Sequence, residues 1–178
     1  MGSWRTCGMT SRRFRMPKLA KAGLLICGLA ALTVAGNQEA RGGVRCKPVH
    51  GFVQITFAPG PSCASPVGVC FRSSQIGGIH ANSEATVTSV TPSPDPTLPA
   101  TILLTQRVVK HLDDGDDMFE SAAGAFDVVS GDGVFLLTVT GGTGALTGAT
   151  GHIVEYGRLD VNTFNGSTTY TGEICTAD

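Results

Sequence analysis

Aromatic and basic side chains are scarce in this 178-residue chain, and each scarcity excludes a class of function. The one tryptophan, Trp4, and six of the 13 Lys and Arg residues lie within the first 21 positions. After residue 36, two Tyr remain, and seven basic residues stand against 14 acidic ones, a net charge of -7. We therefore expect neither an aromatic platform for sugars nor a basic surface for nucleic acid.

Motifs for hydrolysis, phosphate binding and metal binding are also missing. The sequence contains no Gly-x-Ser-x-Gly elbow and no Gly-Lys-Ser/Thr. The four histidines stand singly, without a partner at the spacing of metal ligands: His50, His80, His111 and His152. We expect no metal and no cofactor.

The apolar run at residues 22–36 is too short for a comfortable membrane span of about 20 residues, but it has the length of a signal-peptide core. Basic residues precede it, and small residues end it, with cleavage expected after Ala35 or Gly36. Residues 1–36 are thus predicted to be a Sec-type signal peptide, and Arg12-Arg13 leaves a twin-arginine route as the alternative. The mature protein is expected to be secreted or periplasmic, without a stable membrane anchor.

Four cysteines remain after this leader: Cys46, Cys63, Cys70 and Cys175. An even number in an exported chain predicts two disulfides, for which three connectivities are possible. We favour Cys63 with Cys70, which closes a short loop, and Cys46 with Cys175, which restricts the unfolded chain most.

The mature part, residues 37–178, is rich in β-branched side chains, with 17 Thr, 15 Val and 6 Ile against 8 Leu. This composition favours an all-β domain. Alternation and turn residues predict eight strands, at residues 52–57, 69–76, 79–90, from about 100, 118–129, 134–140, 147–158 and 167–175. A helix within residues 100–114 is the alternative for the fourth. Asn165-Gly166 is expected to form the last hairpin turn.

Eight strands joined by short turns have the size of a closed antiparallel β-barrel, with a two-layer sandwich as the alternative. A glycine-rich stretch separates the sixth and seventh strands: Gly141, Gly142, Gly144, Gly148 and Gly151. No helix is expected to follow it, so a nucleotide loop is disfavoured. We expect these glycines to let the chain turn sharply and bend at a barrel corner.

The acidic run Asp113–Asp117, with Glu120, could offer oxygen ligands to Ca²⁺, but it lacks the EF-hand spacing. Asp114-Gly115 is also a strong turn dipeptide. A solvated hairpin turn between strands four and five is the favoured interpretation.

The segment Phe135–Gly151, the later Tyr170-Thr-Gly-Glu-Ile-Cys175 and the loop Cys63–Cys70 resemble the bacterial secreted allene oxide cyclase barrel-like proteins. That group is distantly similar to plant dirigent proteins. The resemblance spans about residues 63–175 and implies an eight-stranded barrel of the calycin type with a cavity along its axis. It transfers no active site to residues of this chain.

The expected function is that of an exported barrel that binds a small apolar molecule. The alternatives are a cyclase or isomerase without a cofactor, and a filled structural barrel without a ligand; a homo-oligomer is compatible with each. Candidate catalytic residues are Glu155 and Arg107, and candidate ligand-binding residues are Tyr156 and Tyr170. Glu155 and Tyr156 are neighbours on a strand, so at most one of them points inward. Outward exposure of all four residues is the competing expectation.

Overall fold

Eight antiparallel β-strands make up most of the computed structural model, which describes residues 43–178. In chain order they are β1 Val44–Phe57, β2 Cys70–Gly77, β3 Ala81–Pro92, β4 Thr101–Leu112, β5 Asp117–Asp127, β6 Asp132–Gly142, β7 Thr150–Leu159 and β8 Gly166–Ala177. The predicted signal peptide, residues 1–36, lies outside the described residues.

The sheet closes on itself because β1 pairs with β8 as well as with β2. The prediction of an all-β, eight-stranded antiparallel barrel is confirmed, and the sandwich alternative is wrong. The helix considered within residues 100–114 is also wrong, since this segment is β4. Between β6 and β7, Gly144–Leu146 forms a single 3-10 turn. Within residues 43–178, no helix has the length and apolar character that a membrane span needs.

Strand β1 begins eight residues earlier than the sequence predicted, at Val44 instead of Phe52. Its first part pairs with β8 alone, and pairing with β2 starts only at Gly51. Pro48 lies in this singly paired part, where one side of the strand has no ladder to complete. The strand can therefore contain a proline at this position.

Two disulfides are present, so the prediction of disulfide bonds is confirmed. Cys46 lies directly opposite Cys175 in the β1–β8 pair and is bonded to it, which fixes the seam where the barrel closes. Cys63, in the β1–β2 connection, is bonded to Cys70, the first residue of β2. Such bonds persist in a non-reducing compartment.

The interior is packed at one end and open at the other. The end that carries the short turns at residues 78–80 and 113–116 is closed by side chains of the core, including Val49, Ile79 and Met118. The other end carries the connections at residues 58–69, 93–100, 128–131 and 160–165, and we call it the mouth. The cavity described below opens there.

The turns agree with the sequence in part. Gly115 has φ +93° in the turn between β4 and β5, as the Asp114-Gly115 dipeptide predicts. The Asn165-Gly166 hairpin turn is wrong, because the positive φ of the β7–β8 connection, +54°, falls on Phe164. Asp160 organises that connection by accepting hydrogen bonds from the backbone N–H groups of Asn162 and Thr163.

The glycine-rich stretch begins where the sheet bends. Gly141, with φ +143°, lies opposite a register shift between Phe119 and Glu120 in the β5–β6 pair. An L-residue rarely adopts this conformation, and a bulge increases local bending, so Gly141 allows the bend at this corner of the barrel. Of the remaining predicted glycines, three also have positive φ: Gly144, Gly148 and Gly151.

Candidate ligand-binding cavity

A cavity of about 260 Å³ occupies the mouth half of the barrel. Its wall is mostly apolar because alternate residues of each strand point inward and most of those near the mouth are aliphatic or aromatic. Examples are Ile55 on β1, Val87 on β3, Leu104 on β4 and Phe135 on β6. The volume lies slightly below the range of about 300–1,000 Å³ common for small-molecule sites. The barrel thus has room for a small ligand.

Polar side chains gather on the deeper part of the wall, which we call the floor and define as Gln75, Ser83, Lys110 and Glu155. They come from four different strands and are between 1% and 8% exposed. Removing such groups from water is costly unless partners compensate them. Their arrangement therefore decides what the floor can bind.

Lys110 is paired with a second buried acid behind the cavity wall. Its Nζ lies 2.9 Å from Oε1 of Glu120 on β5, and the two side chains are 2% and 0% exposed. Within residues 43–178, the carboxylate oxygens of Glu120 have no partner with the directed geometry of a hydrogen bond. The two groups are therefore close enough to form an ion pair, although their geometry is not that of a hydrogen bond. Burial raises the pKa of Glu120, and the charge of Lys110 opposes this shift.

Glu155 is the second carboxyl group of the interior. Thr168 on β8 donates a hydrogen bond of 2.6 Å to its Oε1. Burial raises the pKa of Glu155, the Thr168 hydrogen bond and Lys110 lower it, and the negative charge of Glu120 raises it further. With burial as the largest cause, the pKa of Glu155 is raised, which favours its protonated form. In that form it can donate a hydrogen bond or a proton into the cavity.

Four phenylalanines surround the mouth. Phe57 contacts Phe71 and Phe164, with ring centroids 5.9 and 5.7 Å apart. Phe164 also lies 6.4 Å from Phe126, so its ring bridges opposite sides of the opening. Asn165 anchors this connection by accepting a hydrogen bond from the backbone N–H of Phe57. A ligand that enters from this end must pass these rings.

The structure separates the four site residues predicted from the sequence. Glu155 points into the cavity, whereas Tyr156 is 54% exposed on the outer face, as their adjacency requires. Arg107 is exposed on the outer face of β4, so it does not come together with Glu155. Neither Arg107 nor Tyr156 reaches the cavity.

Tyr170 is buried but serves the closed end of the barrel. Its hydroxyl accepts a hydrogen bond of 2.8 Å from the N–H of Ile79 and lies 3.3 Å from the carbonyl oxygen of the same residue. Burial raises its pKa, and the hydrogen bonds from Ile79 and Gly78 lower it. Tyr170 therefore holds the β2–β3 turn and does not line the cavity.

Sequence reasoning did not place four polar residues in the interior: Gln75, Ser83, Lys110 and Glu120. On β4 both faces carry aliphatic side chains, so alternation alone did not show whether Arg107 or Lys110 points inward. On β5 the small residues Ala122, Ala123 and Ala125 blur the pattern in the same way. The usable signal was the position of Lys110 two residues beyond Val108, since these residues share a face.

A second hollow, of about 630 Å³, lies at the closed end. Its charged lining residues, among them Arg45, Lys47 and Asp113, are exposed, so it lacks the desolvated polar groups of the floor. The acidic turn also provides no cluster with Glu120, because Glu120 points into the barrel. In the described part of the chain, Cys46, Glu173 and Cys175 approach one another closely, but both cysteines are in a disulfide.

No protein-family profile matches the chain, and no curated protein matches it. Two solved structures are similar to it, each with 15% identity and a TM-score of 0.48. One is the pterocarpan synthase dirigent protein PsPTS1, covering 75% of this chain and 97% of that chain. The other is the pterocarpan synthase dirigent protein GePTS1, covering 76% of this chain and 92% of that chain. Both neighbours are dirigent proteins, the plant group to which the predicted family is distantly similar. The predicted similarity to bacterial allene oxide cyclase barrel-like proteins stays a prediction.

Proposed function

We propose that this protein is an exported, dirigent-like barrel that binds one small, mostly apolar molecule in its mouth-side cavity. The observation that carries the proposal is the arrangement of the cavity, with a mostly apolar wall, an aromatic mouth and its buried polar groups on the floor. Sites of this kind gain affinity from the apolar wall and orientation from a few polar groups.

The open volume argues against the filled structural barrel. Side chains that pointed inward at the mouth end could have filled this space, as they do around Met118 and Ile153, which are fully buried. In the mouth half, small inward residues such as Ala85 do not fill this space, so a cavity remains. An empty apolar cavity costs stability, so its presence favours a role in binding.

Export is proposed from the predicted signal peptide together with the two disulfides. A bond between the first and last strands persists only where thiols are not kept reduced. Secretion and a periplasmic location both meet this requirement.

Native mass spectrometry of protein purified from its own host tests the binding function. We expect one retained small molecule per barrel, which is released when the protein unfolds. Protein that carries nothing, and that takes up nothing from an extract of its host's small molecules, would contradict the proposal.

A cyclase or isomerase without a cofactor is the second candidate, and the position of Glu155 favours it. A protonated carboxyl group in an apolar cavity can donate a proton to a reactive oxygen, while the walls hold the substrate in one conformer. In Glu155→Gln the side chain keeps its size and can still accept from Thr168, but it loses the acid. If purified protein converts a substrate, this variant is expected to lower the rate by at least about 100-fold; an unchanged rate would remove Glu155 from the mechanism.

A further inference from the structure

We propose that the cavity selects uncharged molecules that carry a hydroxyl group at the end that reaches the floor, and that it discriminates against carboxylates. This inference rests on the ligand-binding function proposed above and names the chemical class of the ligand. It follows from the charges of the interior, from one unpartnered acceptor and from the shape of the cavity.

The charges of the interior oppose an anionic ligand. Among the buried residues of the described chain, Lys110 is the one cation, and the carboxyl groups are those of Glu120 and Glu155. The charge of Lys110 is already paired with Glu120. Glu155 then stays neutral by keeping its proton or adds an uncompensated negative charge. A ligand carboxylate would bring a third acidic group to this buried site, and unpaired buried charge is costly. A ligand ammonium would lose its hydration beside Lys110, whose charge repels it, while the carboxylate of Glu120 is already paired.

The unpartnered acceptor favours a ligand that donates a hydrogen bond. Gln75 is 5% exposed and lines the cavity, and its Oε1 has no hydrogen-bond partner among residues 43–178. A buried acceptor without a donor destabilises the empty site. A hydroxyl group from a ligand removes this cost by donating to Gln75, and its oxygen can accept from another group of the floor. A ketone or an ester cannot donate and leaves Oε1 of Gln75 without a partner.

The shape of the cavity confines this polar contact to one end. Toward the mouth the wall consists mainly of aliphatic and aromatic side chains, and the four phenylalanines surround the exit. A second strongly polar group on the ligand would lose its hydration against this wall. The ligand that fits is therefore small and apolar, with its hydroxyl group inserted first.

A series of probes with the same chain length tests the inference: 1-nonanol, 2-nonanone, nonanoate and nonylammonium. Each is titrated into the purified mature protein at neutral pH, by displacement of the uncharged fluorescent probe N-phenyl-1-naphthylamine. We expect 1-nonanol to bind at least about tenfold more tightly than nonanoate and measurably more tightly than 2-nonanone. Equal or tighter binding of nonanoate or nonylammonium would overturn the inference while leaving the ligand-binding function intact.

The variant Gln75→Leu separates the hydroxyl contact from general apolar binding. It should bind 1-nonanol and 2-nonanone equally, because the acceptor is gone and the apolar wall remains. Gln54→Leu is the matched control, since Gln54 is exposed on the outer face of β1, and it should keep the wild-type preference. A preference that survives in Gln75→Leu contradicts the role of Gln75, and a wild-type protein that binds no probe at all refutes the proposed function itself.

Discussion

Lys110 Nζ and Glu120 Oε1 lie 2.9 Å apart inside the barrel, and neither side chain is more than 2% exposed. The pair joins adjacent strands, β4 and β5, with Lys110 on the cavity floor and Glu120 outside the cavity lining. A buried ion pair adds little net stability, but the loss of one partner leaves a charge that nothing compensates. The pair thus fixes the electrostatic state of the floor on which Glu155 also lies.

Replacement of Lys110 by Met should destabilise the protein by about 3–5 kcal/mol, because Glu120 then stays buried without a counter-charge. The measurement is the free energy of unfolding in urea at neutral pH. The double variant Lys110→Met/Glu120→Leu should recover most of the loss, since both charges are removed together. A double variant as unstable as the sum of the two single variants would show that the residues are not coupled.

Above about pH 4.5, wild-type stability should decrease as the pH rises. Burial raises the folded-state pKa of both Glu120 and Glu155 above the ordinary value of 4.5, so the folded protein holds these protons more tightly than the unfolded chain. Their contribution is complete below about pH 4.5 and is lost as the pH rises through the folded-state pKa values.

The variant Glu155→Gln should weaken this dependence, because one of the two titrating groups is gone while Thr168 still finds an acceptor. Unfolding in urea across a pH series measures the slope. Glu84→Gln, at an exposed carboxyl on β3, is the matched control and should keep the wild-type slope. If Glu155→Gln shows the same slope of unfolding free energy against pH as the wild type, Glu155 does not contribute to the pH dependence.

Loss of the two disulfides should have unequal effects. The Cys46–Cys175 bond closes a loop with a sequence separation of 129, and the Cys63–Cys70 bond closes one of 7. From chain entropy the first contributes about 5 kcal/mol and the second about 2.5 kcal/mol. Paired Cys→Ala variants, compared by urea unfolding, should keep this order; equal losses would show that native-state contacts, and not restriction of the unfolded chain, set the effect.

Phe164 should control exchange of a ligand through the mouth. Its ring packs on Phe57 and Phe126, while its φ of +54° is a conformation that asparagine adopts more readily. Phe164→Asn therefore removes the ring with little backbone cost. We expect faster dissociation of bound N-phenyl-1-naphthylamine in stopped-flow fluorescence; an unchanged dissociation rate would show that the ring does not obstruct the exit.

The barrel was accessible from the sequence because β-branched residues, alternation and turn dipeptides all favour strands. The early start of β1 could not be predicted. Pro48 is compatible with a strand because this part of β1 pairs with β8 alone, and that pairing depends on the closure of the sheet. Likewise the positive φ fell on Phe164 because Asp160 organises a longer connection than an Asn-Gly turn requires.

The candidate site was predictable only in part for a similar reason. Glu155 stood out as a carboxyl in a β-rich run, but its surroundings depend on which strands lie across the interior. On β4 and β5 both faces carry apolar or small residues, so local periodicity could not place Lys110 and Glu120 inside. The unpartnered oxygen of Gln75 is a tertiary property that sequence alone does not reveal.

Titration of N-phenyl-1-naphthylamine into the wild type, Ala85→Phe and Ala123→Phe tests most directly whether the cavity binds an apolar molecule. Ala85 lines the cavity, so phenylalanine there fills it, whereas Ala123 is exposed on the outer face of β5. The account predicts one saturable site per barrel, weakened at least about tenfold by Ala85→Phe and unchanged by Ala123→Phe. The same titration curve for all three proteins would contradict it.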